Sequence, residues 1–296
     1  MIDFSGIYAP IPTPFLEDES VAYDQLVNNL ARWAGEPLDG VVMPGSNSEA
    51  VYLDQEERIK IWQVCSTVLM DTGKRLIAGV GVESTRECIR LALAAAEAGA
   101  EALLVLPPNF YRPLMTHAAL VGHYHAVADA SPVPVMIYNV PIFTGIDFGL
   151  ETLNALAEHP NIVGIKDTSS NVVKMGGLLQ ARPDFQVFAG TGSALLPFLS
   201  IGGRGGIMAL ANFAAKPLRQ LMDLFITGQM EDARQLQTRL NAVNSAVTAR
   251  FGVPGLKYAL ELCGYFGGPC RRPLLPLPAE PRTEIARLVA EIRDLL

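Results

Sequence analysis

Short apolar runs alternate with longer helical patterns along the chain. Eight runs have the composition of β-strands and end in glycine, proline or polar residues. They cover residues 7–11, 40–43, 76–80, 102–106, 135–138, 162–166, 186–189 and 205–209. Two of the segments between them open with capping-box patterns, Asp54 with Glu57 and Ser84 with Glu87, in which the first residue caps a helix and the fourth reaches back. The pattern therefore predicts a regular alternation of strand and helix.

Alternation of this kind predicts parallel strands with helical crossovers, and the continuous apolar character of the runs indicates that both sheet faces are covered. Eight units fit a closed (β/α)8 barrel, a TIM barrel, of about 250 residues. The alternative is a doubly wound open sheet, but Pro-Thr-Pro-Phe at residues 12–15 follows the first strand where that fold has a Gly-x-Gly-x-x-Gly turn. We predict an α/β fold with the barrel over residues 1–225. A C-terminal helical region would follow over residues 226–296, with helices near 232–248, 255–263 and 283–295.

Composition and charge narrow the class of protein. Half of the 296 residues are hydrophobic and 18% are charged, which is enough for a sizeable core. A net charge of −7 argues against a broad nucleic-acid surface and favours a small ligand. The chain has no basic segment leading into an apolar one at its start, and no apolar run of about 18 residues, so we expect neither export nor a membrane partner.

The cysteines and histidines do not predict a metal site. The cysteines lack a Cys-x-x-Cys pair, so we expect reduced thiols and a cytoplasmic location; they are Cys65, Cys88, Cys263 and Cys270. His123 and His125 fall in a helical pattern, where residues two apart face away from each other.

Active sites of such barrels lie at the carboxyl ends of the strands, so the residues that end each run are the candidates. The sixth run ends at Lys166, the inner end of an otherwise apolar strand. Burial disfavours an ammonium ion, so a lysine there can offer a neutral amine to a carbonyl carbon, as Schiff-base formation requires. The alternative is that Lys166 forms a salt bridge with Asp167 or extends to solvent.

The fifth run ends at Tyr138, one strand away and at the corresponding height. A phenol beside a lysine can carry protons in both directions during imine formation and carbon–carbon cleavage. The alternative is a tyrosine that only forms a hydrogen bond in the barrel mouth.

Two turns at the same end of the predicted barrel are suited to an anion. Residues 44–49, Pro-Gly-Ser-Asn-Ser-Glu, follow the second run and can form a nest of N–H groups and hydroxyls for a carboxylate, with Ser46 passing protons to Tyr138. Residues 190–193, Gly-Thr-Gly-Ser, follow the seventh run, where a helix N-terminus can hold an anionic group. Ordinary turn composition and an N-cap at Ser193 explain the same residues.

With these motifs on one barrel rim, the sequence resembles the dihydrodipicolinate synthase and N-acetylneuraminate lyase family of Schiff-base aldolases, nearly from end to end. The family's Gly-Thr/Ser-Thr/Asn-Gly-Glu motif corresponds to residues 45–49. Its Tyr-Asn-x-Pro-x-x-Thr-Gly motif corresponds to residues 138–145, and its Gly-x-Lys-Asp/Glu motif to residues 164–167. Together the three motifs are highly specific.

The resemblance implies a role for each candidate. Lys166 would form the imine with pyruvate or its aldol adduct, Tyr138 would shuttle protons, and Ser46 would link to Tyr138. The pyruvate carboxylate and the pocket around it are assigned to Ser46, Asn47, Gly190 and the carbonyl of Ile207. The resemblance also implies that no metal or other cofactor is required and that the chain forms a homotetramer built from two tight dimers.

Two departures from the family pattern narrow the substrate. Phe143 stands where dihydrodipicolinate synthases usually have an arginine that pairs with the carboxylate of the aldehyde substrate. Phe110 stands where they carry a second relay tyrosine, contributed across a dimer interface, and Tyr111 is displaced from that position by one residue. Residues 45–47, 250–257 and 267–271 look most like the 4-hydroxy-2-oxoglutarate aldolase branch. Phe143 and Tyr111 are therefore the candidate contacts for the rest of the substrate.

Three functions are consistent with these residues. The first is a class I aldolase that cleaves 4-hydroxy-2-oxoglutarate or a 2-keto-3-deoxy sugar acid to pyruvate and an aldehyde. The second is a dihydrodipicolinate synthase that condenses pyruvate with aspartate semialdehyde, which Phe143 disfavours. The third is a catalytically silent barrel that binds a 2-oxo acid, which Phe110 favours.

Overall fold

Eight parallel strands form a closed barrel in the computed structural model, which describes residues 2–296. The strands are β1 Gly6–Pro10, β2 Gly40–Met43, β3 Arg75–Gly79, β4 Ala102–Val105, β5 Val135–Asn139, β6 Ile162–Asp167, β7 Gln186–Ala189 and β8 Gly205–Ile207. Each strand pairs with the next, and β8 pairs with β1. The predicted (β/α)8 barrel is confirmed, and each predicted strand end lies within two residues of the observed one.

Helices follow the strands and cover the outside of the barrel. They are α1 Tyr23–Ala34, α2 Gln55–Leu69, α3 Thr85–Glu97, α4 His117–Ala130, α5 Pro141–Thr144, α6 Leu150–Leu156, α7 Val172–Ala181, α8 Leu195–Ser200, α9 Ala215–Ile226, α10 Met230–Ser245, α11 Gly252–Leu262 and α12 Ala279–Glu291. Short 3-10 turns lie at Ser46–Ser48, Ala50–Tyr52, Arg112–Leu114, Gly192–Ala194, Ala209–Asn212 and Arg293–Leu295. Within residues 2–296, no helix combines the length and the apolar character needed to cross a bilayer.

The capping box predicted for α2 is complete, whereas only half of the one predicted for α3 is formed. At α2 the box is complete, because the Glu57 N–H donates to the Asp54 carboxylate at 2.8 Å and the Asp54 N–H donates to Glu57 at 3.1 Å. At α3 the Ser84 hydroxyl accepts from the Glu87 N–H at 3.4 Å. The second half of that box is missing, because the Glu87 carboxylate turns instead to the guanidinium of Arg90.

Apolar side chains fill two separate layers. One layer lies inside the barrel and takes alternate residues of the strands, among them Tyr8, Val42, Ile77, Leu104, Met136, Phe188 and Ile207. The intervening strand residues, such as Val41, Leu103 and Ile137, pack outward against the helices in a larger layer. This follows from the two-residue period of a strand. The filled interior leaves the ends of the barrel as the places where a small molecule can bind.

A bulge between β5 and β6 sets the register at the carboxyl end of the barrel. Val135 pairs with Ile162, but the next residue, Met136, pairs with Gly164, so one residue of β6 is extra. Without it Tyr138 would lie opposite Ile165, whereas the observed partner of Tyr138 is Lys166. Bulges commonly re-aim a side chain beside a functional site.

The predicted C-terminal helical region is helical and packs closely on the barrel. Helix α10 contacts α8, α9 and the turn that follows β7, and α11 contacts the turn that follows β2. Helix α12 packs on α10 and α11. The predicted boundary between residues 225 and 226 falls at the end of α9. Whether residues 226–296 form a separate domain stays a prediction, but their contacts reach the turns at the carboxyl end of the strands.

Candidate active site

Lys166 is the penultimate residue of β6 and points into the barrel mouth with its residue only 4% exposed. Its amine lies 4.2 Å from the centre of the Tyr138 ring, over the face of the phenol. The side chain therefore does not extend to bulk solvent.

Asp167 does not pair with Lys166, because successive residues of a strand point to opposite faces. Its carboxylate accepts from the Asn139 amide at 2.6 Å, from the Ser169 hydroxyl at 2.8 Å and from the Ser170 N–H at 3.0 Å. These hydrogen bonds satisfy the Asp167 carboxylate outside the barrel and connect the ends of β5 and β6. The salt bridge considered as an alternative role for Lys166 is absent among residues 2–296.

Tyr138 and Ser46 form a hydrogen bond across the barrel mouth. Tyr138 is the penultimate residue of β5 and is 4% exposed, while Ser46 opens the 3-10 turn after β2. The two hydroxyl oxygens lie 2.9 Å apart, and either can be the donor. A proton held by the phenol therefore has a path to a second hydroxyl, away from the amine of Lys166.

The turn that carries Ser46 is fixed on its inner side by the end of β1. The Ser48 hydroxyl accepts from the Gly45 N–H at 2.9 Å and donates to the Ile11 carbonyl. The Thr13 hydroxyl donates to the Ser48 carbonyl at 2.6 Å. Both hydroxyl residues are fully buried, so these bonds have no competition from water.

The second turn, Gly190–Ser193, is held by a side chain of α10. The Asn244 amide donates to the hydroxyls of Thr191 and Ser193, both at 2.8 Å, and its oxygen accepts from the Gly192 N–H at 3.2 Å. Ser193 lies inside the 3-10 turn and does not cap it. A Cβ atom at Gly190 would lie 2.7 Å from the Asp167 carbonyl, so only glycine fits this close approach.

A cavity of about 490 Å³ opens over Lys166. Its lining from the barrel comprises Ser46, Asn47, Tyr138, Val140, Ile142, Phe143, Lys166, Thr168, Gly190, Thr191 and Ala209. The C-terminal region adds Thr248, Ala249, Arg250, Gly252 and Val253. The structure thus brings together the predicted residues Ser46, Asn47, Tyr138, Phe143, Lys166 and Gly190.

Two predicted site residues are not among those that line this cavity. Ile207 is fully buried in the apolar layer inside the barrel, two residues before Ala209. Tyr111 is 66% exposed and packs edge-on against Phe110, with ring centres 5.1 Å apart. The predicted roles of both residues stay predictions, and that of Tyr111 requires a second chain.

Sequence reasoning missed the contribution of the C-terminal region. Residues 246–250 form a π-helical turn at the end of α10, a feature frequent at functional sites, and place Thr248 and Arg250 in the cavity wall. Arg250 is the one cation besides Lys166 in the lining. Its guanidinium is bonded to Glu284, which raises the Arg250 pKa, and lies 4.8 Å from the centre of the Phe251 ring. In the sequence, residues 250–257 indicate only a resemblance to the 4-hydroxy-2-oxoglutarate aldolase branch.

Two large apolar side chains also line the cavity. Ile142 is 77% exposed and Phe143 is 69% exposed, although both are large hydrophobic residues. Position 143, where the sequence has phenylalanine in place of an arginine, therefore presents an exposed aromatic side chain and no charge to the cavity.

The histidines are used for packing. Within residues 2–296, no three His, Cys, Asp or Glu side chains gather in a way that could hold a metal ion. His123 lies against the Thr85 hydroxyl at 2.9 Å, and burial lowers its pKa to about 4, against a smaller opposing effect of Glu83. The His125 ring packs instead near His159, with centroids 5.2 Å apart.

Known proteins resemble the chain over almost its whole length. It is 36% identical to a probable mitochondrial 4-hydroxy-2-oxoglutarate aldolase of Emericella nidulans, over 98% of this chain and 95% of that protein. It is 34% identical to a 4-hydroxy-tetrahydrodipicolinate synthase of Archaeoglobus fulgidus, over 99% of both. The crystal structure of chloride-inhibited dihydrodipicolinate synthase from Acinetobacter baumannii, complexed with pyruvate, superposes with a TM-score of 0.92 at 29% identity, over 99% of each chain.

The closed barrel, the buried lysine at its mouth and these relatives define an enzyme of the carbon–carbon lyase class. The sequence model of the Dihydrodipicolinate synthetase family matches residues 3–292. The chain belongs to that family, as its motifs had indicated.

Proposed function

We propose that the protein is a class I aldolase that releases pyruvate from a 4-hydroxy-2-oxo acid through a Schiff base on Lys166. The observation that carries the proposal is the placement of a buried amine 4.2 Å from the Tyr138 ring, with the Tyr138 hydroxyl 2.9 Å from Ser46. A nucleophile beside an acid–base group that is itself oriented by a third group is the usual arrangement for covalent catalysis.

The chemistry follows from these three groups. The Lys166 amine adds to the C2 ketone, and loss of water, with protons carried by Tyr138, gives a protonated imine. Tyr138 then takes the proton of the C4 hydroxyl as the C3–C4 bond breaks, and the imine nitrogen accepts the electron pair. The aldehyde leaves, the enamine is protonated at C3, and water hydrolyses the imine to pyruvate and free Lys166. Ser46 relays protons to and from Tyr138.

The anionic end of the 2-oxo acid fits the turn after β2. Ser46 and Asn47 line the cavity beside Lys166, and the turn presents N–H groups and hydroxyls that suit a carboxylate. Gly190 lines the same cavity. We assign the binding of the 1-carboxylate to Ser46 and Asn47, with Gly190 and the Ile207 carbonyl completing the pocket.

For the far end of the substrate we favour a second carboxylate, as in 4-hydroxy-2-oxoglutarate, over the hydroxylated tail of a 2-keto-3-deoxy sugar acid. Arg250 supplies a cation in the cavity lining, whereas the exposed side chains of Ile142 and Phe143 offer no polar group to hydroxyls. The relative from Emericella nidulans carries the matching name.

A second candidate is the condensation of pyruvate with aspartate semialdehyde. It shares every step through the enamine, and the relative from Archaeoglobus fulgidus is named for that activity. The semialdehyde also carries a carboxylate that Arg250 can meet. Phe143 counts against it, because the arginine usual in those synthases is absent.

One assay separates the candidates. Purified enzyme is given pyruvate with either glyoxylate or aspartate semialdehyde, and pyruvate consumption is followed; the reverse reaction is followed as pyruvate release from 4-hydroxy-2-oxoglutarate and from 2-keto-3-deoxy sugar acids. We expect turnover with glyoxylate and 4-hydroxy-2-oxoglutarate. A higher kcat/KM with aspartate semialdehyde would favour the synthase. Imine formation with pyruvate but no turnover of any acceptor would leave only a 2-oxo acid-binding barrel.

We further propose that the chain forms a homotetramer of two tight dimers. The loop after β4 supports a self-association surface, because Phe110, Tyr111 and Leu114 are each about two-thirds exposed or more. In such a dimer Tyr111 is the phenol of this loop that can approach the partner's cavity.

A cytoplasmic location also stays a prediction, consistent with the four free cysteines.

A further inference from the structure

A buried ion pair connects the C-terminal region to the turn that carries Ser46. The amine of Lys257, on α11, lies 2.7 Å from a carboxylate oxygen of Glu49, and the two side chains are 2% and 0% exposed. The second oxygen of Glu49 accepts from the Arg271 N–H at 2.8 Å. Lys257 also donates to the Pro269 carbonyl at 2.6 Å. Removal of one partner of such a pair is strongly destabilising, because it leaves an uncompensated buried charge.

Glu49 is poorly suited to its position without these bonds. Its φ of +57° lies in the left-handed region, which is unfavourable for a residue with a side chain. It ends the 3-10 turn, and its N–H donates to the Ser46 carbonyl at 3.2 Å. The conformation of Glu49 is therefore coupled by one hydrogen bond to the residue whose hydroxyl meets Tyr138.

The hydrogen bond between Ser46 and Tyr138 is sensitive to small displacements. It spans the barrel mouth at 2.9 Å, and such bonds weaken steeply once the oxygens are more than about 3.5 Å apart. Ile11 and Thr13, just after β1, hold the turn through Ser48, and Glu49 holds it through Lys257. An increase of about 0.6 Å in the separation of the two oxygens is therefore enough to break the contact.

We propose that Glu49 and Lys257 are positioning residues that hold Ser46 in hydrogen-bonding distance of Tyr138, so that the C-terminal helices set the geometry of the proton relay. Neither side chain lines the cavity, so neither touches the substrate. The expected loss of activity on removal of the pair rests on the proposed function. The expected change in the distance between Ser46 and Tyr138 does not.

The test uses a double replacement, because removing one partner would leave an unpaired buried charge and unfold the protein for a trivial reason. Glu49→Leu with Lys257→Met replaces the pair by apolar side chains of similar size, which generally leaves stability unchanged or higher. The matched control is Asp39→Asn with Arg219→Met, which removes an ion pair at the amino end of the barrel. Glu49→Gln alone, which keeps the shape and an acceptor for Arg271, is the second variant should the double replacement fail to fold.

We expect the apolar pair to fold with a lower Tm than the wild type, because the Arg271 N–H loses its acceptor and residue 49 keeps its left-handed conformation. We expect it to lose about 10²-fold in kcat/KM, as misplacements of about one ångström do. The control should stay within about twofold. In a Ser46→Ala background the replacement should have little further effect, because the relay is already interrupted. Glu49→Gln should retain an intermediate activity.

Retention of kcat/KM within twofold by a folded Glu49→Leu, Lys257→Met protein would overturn the proposal. An undiminished loss in the Ser46→Ala background would also overturn it, since the pair would then act elsewhere. A crystal structure of the variant tests the geometry independently of the reaction: we expect the Ser46 and Tyr138 hydroxyls more than 3.5 Å apart. If the wild type forms no imine with pyruvate, the proposed function fails, and this distance still decides the positioning role.

Discussion

Tyr138 and Lys166 lie side by side on adjacent strands, with the amine over the face of the phenol ring at 4.2 Å from its centre. The β-bulge in β6 creates this arrangement, because it shifts the register by one residue beyond Val135. The reactive amine and the group that exchanges protons with it are therefore positioned by strands, which are more rigid than loops.

Tyr138→Phe keeps the ring over the amine and removes only the hydroxyl. We expect kcat to fall about 10²- to 10⁴-fold, the usual contribution of a positioned acid–base group, while the fold is retained. Steady-state kinetics with 4-hydroxy-2-oxoglutarate measure the loss. Ser46→Ala is the matched comparison and should cost less, because the phenol remains. A Tyr138→Phe protein that keeps kcat within a few-fold would remove Tyr138 from the mechanism.

Arg250→Met removes the cation of the cavity wall. We expect KM for 4-hydroxy-2-oxoglutarate to rise about tenfold, because the distal carboxylate loses its charged donor. KM for 4-hydroxy-2-oxopentanoate, which has a methyl group at that end, should not change. Glu284→Gln is the control, since it removes the partner of Arg250 and leaves the cation in place. Equal changes in KM for both substrates would contradict a role of Arg250 in recognising the distal carboxylate.

Phe110→Asp combined with Leu114→Asp places charges on the exposed apolar loop after β4. We expect sedimentation velocity to show a smaller species than for the wild type, for which we propose a tetramer, because an apolar interface does not tolerate unpaired carboxylates. Val173→Asp is a control on α7, where the valine is 87% exposed. The loop is not the self-association surface if the double variant sediments as the wild type does.

The burial of His123 predicts that the protein loses stability in acid. Its pKa of about 4 in the folded chain lies below the ordinary 6.5, chiefly because it is buried. The unfolded chain therefore takes up a proton first as the pH falls, and stability drops between about pH 6.5 and 4 by up to about 3 kcal/mol. Urea unfolding at pH 7.5 and 4.5 should show a smaller difference for His123→Asn than for the wild type. An identical difference in both proteins would exclude His123 as the source.

Much of the fold and of the cavity floor could be predicted from the sequence, because local signals encode them. The alternation of apolar runs and helical patterns predicts the barrel, and the ends of the fifth and sixth runs predict Tyr138 and Lys166 as candidate site residues. Their mutual height was predicted correctly, although the β6 bulge that produces it has no distinct signal in an apolar run such as Ile162–Asp167. Propensity and periodicity do not register one extra residue in a buried strand.

The rest of the site depends on contacts between segments far apart in the chain. Arg250 reaches the cavity, Asn244 holds the turn after β7, and Lys257 holds Glu49, each from the C-terminal region. In the sequence these are ordinary polar residues of amphipathic helices. Their roles arise from how α10 and α11 pack on the barrel, which local patterns do not specify.

The most direct test of the central claim is reductive trapping of the imine. The protein is incubated with pyruvate and sodium borohydride, digested, and mapped by mass spectrometry, with Lys166→Met and a sample without pyruvate as controls. We predict a stable pyruvate adduct on the peptide that contains Lys166, and none in Lys166→Met. Absence of the adduct in the wild type, or its presence on another lysine, would contradict the account.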